Sequence, residues 1–185
     1  EWMNELAELN TDNILLPNNN KLQLSGHLCG AYVKEVLMGN DSFTFDLGEI
    51  WFSLQRVQIN THGYIHGFEP SAIKGLKMFG KEIIFQYDGA NKPILDLAIS
   101  EGLNCSTLFD MSHGAGILPT SGWPTPVQGV RCGYAGGLSP ANIREQIKLI
   151  ESKVDSNYEL WIDMETEIRS KFDQRLLIGL TPRRS

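Results

Sequence analysis

Short apolar runs alternate with amphipathic runs six times along the chain, mostly with glycine or proline at the joints. The apolar runs read as strands at Leu22 to Leu28, Arg56 to Thr61, Glu82 to Tyr87, Ser106 to Met111, Val130 to Ala135 and Glu159 to Met164. Between them, the spacing predicts a helix over Ala31 to Met38, with Val33, Val36 and Leu37 on one face. A Phe-rich connection follows (Phe43, Phe45, Ile50, Trp51, Phe52), with room for a helical turn. Glu69 and Pro70 start a helix that Gly80 stops, and Pro93 to Glu101 forms another that Gly102 stops. Ser139 reads as an N-cap with Pro140 at the first helical position of a helix running to Lys153. A last helix is expected over Asp173 to Ile178.

Strand-then-helix units repeated in this way call for parallel strands, because two parallel neighbours need a crossover between them. A doubly wound open sheet and a closed barrel both satisfy that requirement. A full eight-unit barrel takes somewhat over about 200 residues, and this chain has 185. Glu1 to Leu9 reads as the end of a preceding helix. The expectation is therefore a single α/β domain over residues 1–185. It is a parallel (β/α) barrel of TIM type, incomplete, with about six of the eight units and the first one or two lacking.

Composition narrows the function classes. A formal net charge of -6 argues against a non-specific nucleic-acid binder, which needs excess Lys and Arg to displace counterions. No apolar run approaches bilayer length; Ile147 to Ile150 is already broken by Lys148. Cys29, Cys105 and Cys132 make an odd count without a C-x-x-C spacing, which fits neither a disulfide framework nor a structural zinc site. A reducing, cytoplasmic setting is expected, with no cofactor, a small-molecule ligand as partner, and a homo-oligomer left open. The start at Glu1 reads as a truncation or processing boundary.

Alternation along each strand sorts the polar residues. Gln23, Ser25 and His27 share one side of the first strand, and Gln58, Asn60 and His62 one side of the second. The third gives Gln86 and Asp88, the fourth Asp110 and Ser112, and the sixth Asp163 and Glu165 above Trp161. The opposite registers are mostly apolar. Polar groups gathered at the C-terminal ends of parallel strands are what a barrel uses for its working face. His113 and Gly114, in the loop after the fourth strand, belong to the same candidate face.

Asp110 precedes the loop Gly114-Ala115-Gly116. A partly desolvated carboxylate there suits acid/base chemistry; it equally suits fixing the loop through hydrogen bonds to amides. Gly136-Gly137-Leu138-Ser139-Pro140 leads from strand to helix. It reads either as an anion-binding turn, where backbone N–H groups meet a phosphate, or as a tight connection. His27, His62, Asp88, Asp110, Asp163 and Glu165 are residue types that barrel metal sites use, but their spacing is no metal signature and no metal is expected. Cys29 stands two residues from His27, as a nucleophile or as packing under the loop. Glu165 and Arg169, one helical turn apart, read as an ion pair.

The later units resemble a known family. Leu108-Phe109-Asp110, Gly114-Ala115-Gly116 and Trp123, then Ala135-Gly136-Gly137-Leu138-Ser139-Pro140-Ala141-Asn142-Ile143, then Trp161-Ile162-Asp163, are similar to phosphoribosylanthranilate isomerase, as is Val57-Gln58-Ile59 with His62-Gly63. The likeness spans residues 55–170 and makes the six strands here strands three to eight of a TIM barrel. It implies that Asp110 is the general acid opening a ribosyl ring in an Amadori rearrangement, and that Gly136 and Gly137 hold phosphate. The family's Cys base, on its first strand, has no counterpart here. Met164-Glu165-Thr166 stands where the family has Ser-Ser-Gly. The functional expectation is an isomerase-like or lyase-like barrel acting on a small phosphorylated, sugar-like ligand. Asp110, Asp163 and Glu165 are the candidate catalytic groups. The alternatives are a non-catalytic ligand-binding barrel and a metal-dependent hydrolase or aldolase.

Overall fold

A computed structural model describes residues 15–16, 20–21, 23–61, 70–110, 112, 115–155 and 158–168. The expected helices before Leu9 and over Asp173 to Ile178 lie outside these residues, as do His62, His66, His113, Gly114 and Arg169. A short antiparallel pair comes first, β1 (Leu15–Leu16) with β2 (Asn20–Lys21). The sequence reading did not foresee it.

The body of the fold is a six-stranded parallel sheet: β3 (Leu24–Leu28), β4 (Leu54–Ile59), β5 (Glu82–Tyr87), β6 (Cys105–Asp110), β7 (Arg131–Ala135) and β8 (Leu160–Ile162). Their spatial order equals their chain order. That order separates the two architectures left open by the alternation. A doubly wound sheet reverses direction partway across. Here every crossover steps the same way, and right-handed crossovers that never reverse place their helices on one face. The sheet curls into a half-barrel with polar side chains gathered inside.

Helices α1 (Ala31–Leu37), α4 (Pro70–Met78), α5 (Lys92–Ser100) and α6 (Ile143–Glu151) cover the outside. Helix α1 buries Val33, Val36 and Leu37, the face its spacing predicts. The Phe-rich connection forms two short helices, α2 (Phe43–Leu47) and α3 (Glu49–Ser53), joined at Gly48, whose φ of 54° favours a residue without Cβ. They bury Phe43 and Trp51, which pack edge-to-face on each other and on Phe79, with ring centroids 5.0 to 5.8 Å apart. Helix α3 runs directly into β4, so that strand starts at Leu54 rather than Arg56 and ends before Asn60 and Thr61.

The outer face of the sheet carries the main core, including Val57, Ile59, Ile83 and Phe85. A second cluster joins Phe109, Tyr134, Trp123, Leu138 and Ile150. Inside the curl a small apolar layer of Ile84, Leu108 and Ala135 packs with Trp161. The Trp161 ring lies over Gly133, where a Cβ would come within 2.4 Å of it. Below this layer Glu82 receives Arg131 Nη2 at 2.5 and 2.6 Å, Arg131 Nη1 reaches Glu159 at 2.9 Å, and Arg56 Nε stands 3.5 Å from Glu82. These charges bridge β4, β5 and β7 at their N-terminal ends.

One helix start differs from expectation. Ser139 is not the N-cap of α6; Asn142 is. The Ser139 carbonyl accepts N–H bonds from both Asn142 and Ile143, at 3.1 and 2.9 Å, so 139–142 close as a turn. Asn142 locks that turn, accepting from Ser139 N at 2.9 Å and donating to the Gly137 carbonyl at 2.8 Å. Pro140 therefore sits in the turn, before the helix.

Candidate functional site

The C-terminal ends of the strands surround an open cleft with about 660 Å³ of atom-free space, part of it continuous with solvent. His27 follows β3's polar register, Gln58 and Asn60 come from the end of β4, Gln86 from β5 and Asp110 from β6. Gly136 and Gly137 follow β7, and Asp163 and Glu165 follow β8. The expected polar register is thus assembled in one place. Strand β8 is shorter than expected, but a hydrogen bond from Asp163 N to the Tyr134 carbonyl, 3.0 Å, carries the ladder one residue further.

Asp110 is buried at the floor. Gln86 Nε2 donates to its Oδ2 at 2.9 Å, and Ser112 donates to its Oδ1 through both backbone N–H, 3.1 Å, and hydroxyl, 2.7 Å. The Ser112 hydroxyl in turn accepts from Gly116 N at 3.1 Å, which fixes the loop after β6. A buried polar clamp holds Gln86 from behind. Thr61 Oγ1 donates to the Gln86 carbonyl at 2.9 Å, and Asn91 Nδ2 donates to Thr61 Oγ1 at 2.6 Å. Gln86 is itself 4% exposed, and its Oε1 has no hydrogen-bond partner. An amide facing a carboxylate must present its NH₂ group to it, so the orphaned end is the acceptor.

Asp163 faces Asp110 across the cleft. Burial pushes its carboxyl above the ordinary value; the charges of Glu165 and then Asp110 push the same way, and His27 opposes them. Glu165 and Glu167 stand exposed at the lip. The described lining therefore holds four carboxylates, Asp110, Asp163, Glu165 and Glu167, and the imidazole of His27, with neither Lys nor Arg. His27 stands 3.5 Å from Gln58 Nε2.

Two expected residues have other surroundings. Asp88 is not part of the described lining; its Oδ1 accepts from Ala90 N at 2.9 Å and Asn91 N at 3.2 Å, shaping the entry to α5. The lining likewise lacks Cys29. Burial pushes the Cys105 thiol up to about 11, aided by the Glu82 charge. The buried Cys132 thiol, 3.1 Å from the Tyr158 hydroxyl, is also raised, burial outweighing its hydrogen bonds.

Gly136 and Gly137 have positive φ of 100° and 66° and pack against the loop after β6. A Cβ on Gly137 would lie 2.4 Å from Leu118 N, and one on Gly136 would lie 3.1 Å from the Ile117 carbonyl oxygen. Close backbone packing accounts for both glycines without a ligand. The same Gly136 position lies 3.4 Å from Asp110 Oδ1, so an anion approaching this turn meets a carboxylate.

Sequence reasoning missed the clamp of Thr61 and Asn91, and it missed Glu167. Thr61 lies in the register opposite the cleft, and Asn91 reads as an ordinary helix-start residue. Among the described residues no three His, Cys, Asp or Glu side chains group closely enough to hold a metal ion, which leaves the metal-dependent alternative without a ligand set among them. No described helix is long and apolar enough to cross a membrane. Comparison with protein-family models, characterised proteins and solved structures finds no match for the chain.

Proposed function

We propose that the protein is an acid/base enzyme of the isomerase or lyase type acting on a small polyhydroxylated, sugar-like ligand, on a TIM-type barrel of which β3 to β8 are six strands. The observation that carries this reading is the pair of carboxylates on facing strand ends. Asp110 is oriented by Gln86 and Ser112, and Asp163 is held in a setting that favours its protonated form. Two acids at one cleft with different surroundings are how one site both gives and takes a proton. In a ring-opening isomerisation, Asp163 would give a proton to the ring oxygen as the C–O bond breaks. Asp110 would take one from the adjacent carbon, moving the double bond without net oxidation.

The likeness to phosphoribosylanthranilate isomerase supports this class of chemistry through Asp110 and Asp163, and the strand order is that of its barrel. The phosphate part of that likeness rests on the Gly136-Gly137 turn alone. Asp110→Asn and Asp163→Asn are each expected to lower turnover on a panel of aldoses, aminated sugars and sugar phosphates by about 10²- to 10⁴-fold. Unchanged turnover in Asp110→Asn sinks the proposal.

A second reading is favoured by the same hydrogen bonds. Ser112 and Gln86 tie Asp110 to the loop and to β5, which is also what a purely structural aspartate does. The chain would then bind its ligand without converting it, showing ligand-dependent thermal stabilisation and no product.

A further inference from the structure

The cleft has a charge pattern that the sequence likeness does not anticipate. Four carboxylates line it, no described Lys or Arg does, and the turn expected to hold phosphate has Asp110 Oδ1 as a near neighbour. Carboxylates alone would say little, since exposed ones are ordinary solvated surface. The second observation is at the floor. Gln86 is almost fully buried and lines the cleft, and its Oε1 accepts from nothing. An acceptor shut away from water without a donor is costly, and a ligand donor placed there relieves that cost. Gln86 cannot turn the amide over, because its Nε2 is engaged by Asp110.

We infer that the cleft selects ligands in which a protonated amine accompanies hydroxyl groups, an amino sugar or amino polyol, in preference to phosphorylated ones. This inference rests on the sugar-like reading above and deepens it. The ammonium would sit among Gln86 Oε1, Asp110 and Asp163, where one donor group with three hydrogens meets acceptors from three strands. Charge-assisted bonds in a partly desolvated site are the strong ones. A dianionic phosphate in the same place would face carboxylates with no described Lys or Arg in the lining to offset them. The hydroxyls fall to Gln58 and Asn60, whose amides both donate and accept.

The test is isothermal titration of the full chain with three matched probes: glucamine, sorbitol and sorbitol phosphate. Glucamine is expected to bind at least about tenfold more tightly than sorbitol, with sorbitol phosphate weakest, and added salt should erode the advantage of the amine. Gln86→Met and Asp163→Asn should each bring glucamine down toward sorbitol while leaving sorbitol little changed. Should Gln86→Met fail to fold, Asp163→Asn alone decides. A flat ranking, tightest binding by sorbitol phosphate, or no binding of glucamine overturns the inference. Turnover is read separately. A flat ranking with turnover lost in Asp110→Asn removes the amine selectivity and keeps the acid/base reading. Amine preference with turnover intact in Asp110→Asn does the reverse.

Discussion

Asp163 shows how a single side chain carries both a cost and a role. Its carboxyl is held above the ordinary value of 3.8, by burial first and then by Glu165 and Asp110. An acid whose folded value is raised removes stability as it ionises. That loss is absent below the unfolded value and complete above the folded one. Asp163→Asn is therefore expected to raise Tm at neutral pH, with the gain fading to nothing below pH 3.8, as thermal melts across the acid range would show. A melt with Tm unchanged or lowered at neutral pH would contradict the assignment. The polar register of the cleft was legible in the sequence because strand alternation is strict: His27, Gln58, Gln86, Asp110 and Asp163 each sit where period two puts them. The contact between Gln86 and Asp110 was not legible. It depends on β5 and β6 pairing Gln86 with Leu108, two residues short of Asp110, so that the side chain leans along the strand to reach the carboxylate. No spacing along the chain encodes that offset. Nor does it encode the void above Gly133 that admits the Trp161 ring.

At the scale of elements, α1, α4, α5 and the six parallel strands follow from periodicity and from glycine and proline punctuation. The start of α6 does not. Ser139-Pro140 has the local chemistry of a helix start, but Asn142 forms two hydrogen bonds back across the turn and defers the helix to Ile143. Capping preferences compete, and the winner here is the residue whose amide reaches both Ser139 N and the Gly137 carbonyl. Asn142→Ala is expected to cost about 1 to 2 kcal/mol in urea unfolding, the usual loss for a polar cap together with the second bond. Since the turn it locks packs on the loop after β6, ligand affinity should fall along with stability. A neutral substitution would show that the glycines alone hold the turn.

For the molecule as a whole, strand order in space equals strand order in the chain. The alternation of strands and helices foretold parallel strands but left their order open, because that is decided by which way each crossover turns. The buried ion pairs of Arg131 and Arg56 with Glu82 were equally hidden: each charge reads singly as surface, and only the curl brings them together. The sequential order has a kinetic consequence. Each described strand is hydrogen-bonded only to its immediate predecessor and successor, so β5 and β6 are flanked on both sides while β3 and β8 close the row. Such an array opens from its ends inward, one unit at a time, without first breaking its middle. Native-state hydrogen exchange should therefore show amides of β5 and β6 exchanging slowest and those of β3 and β8 fastest, and uniform exchange across the sheet would contradict it. His27 and Asp163 belong to the first and last strands of that row. The residues that meet a ligand from the two margins are thus carried by the units that fluctuate most, and a bound ligand touching both would slow exchange across the whole row.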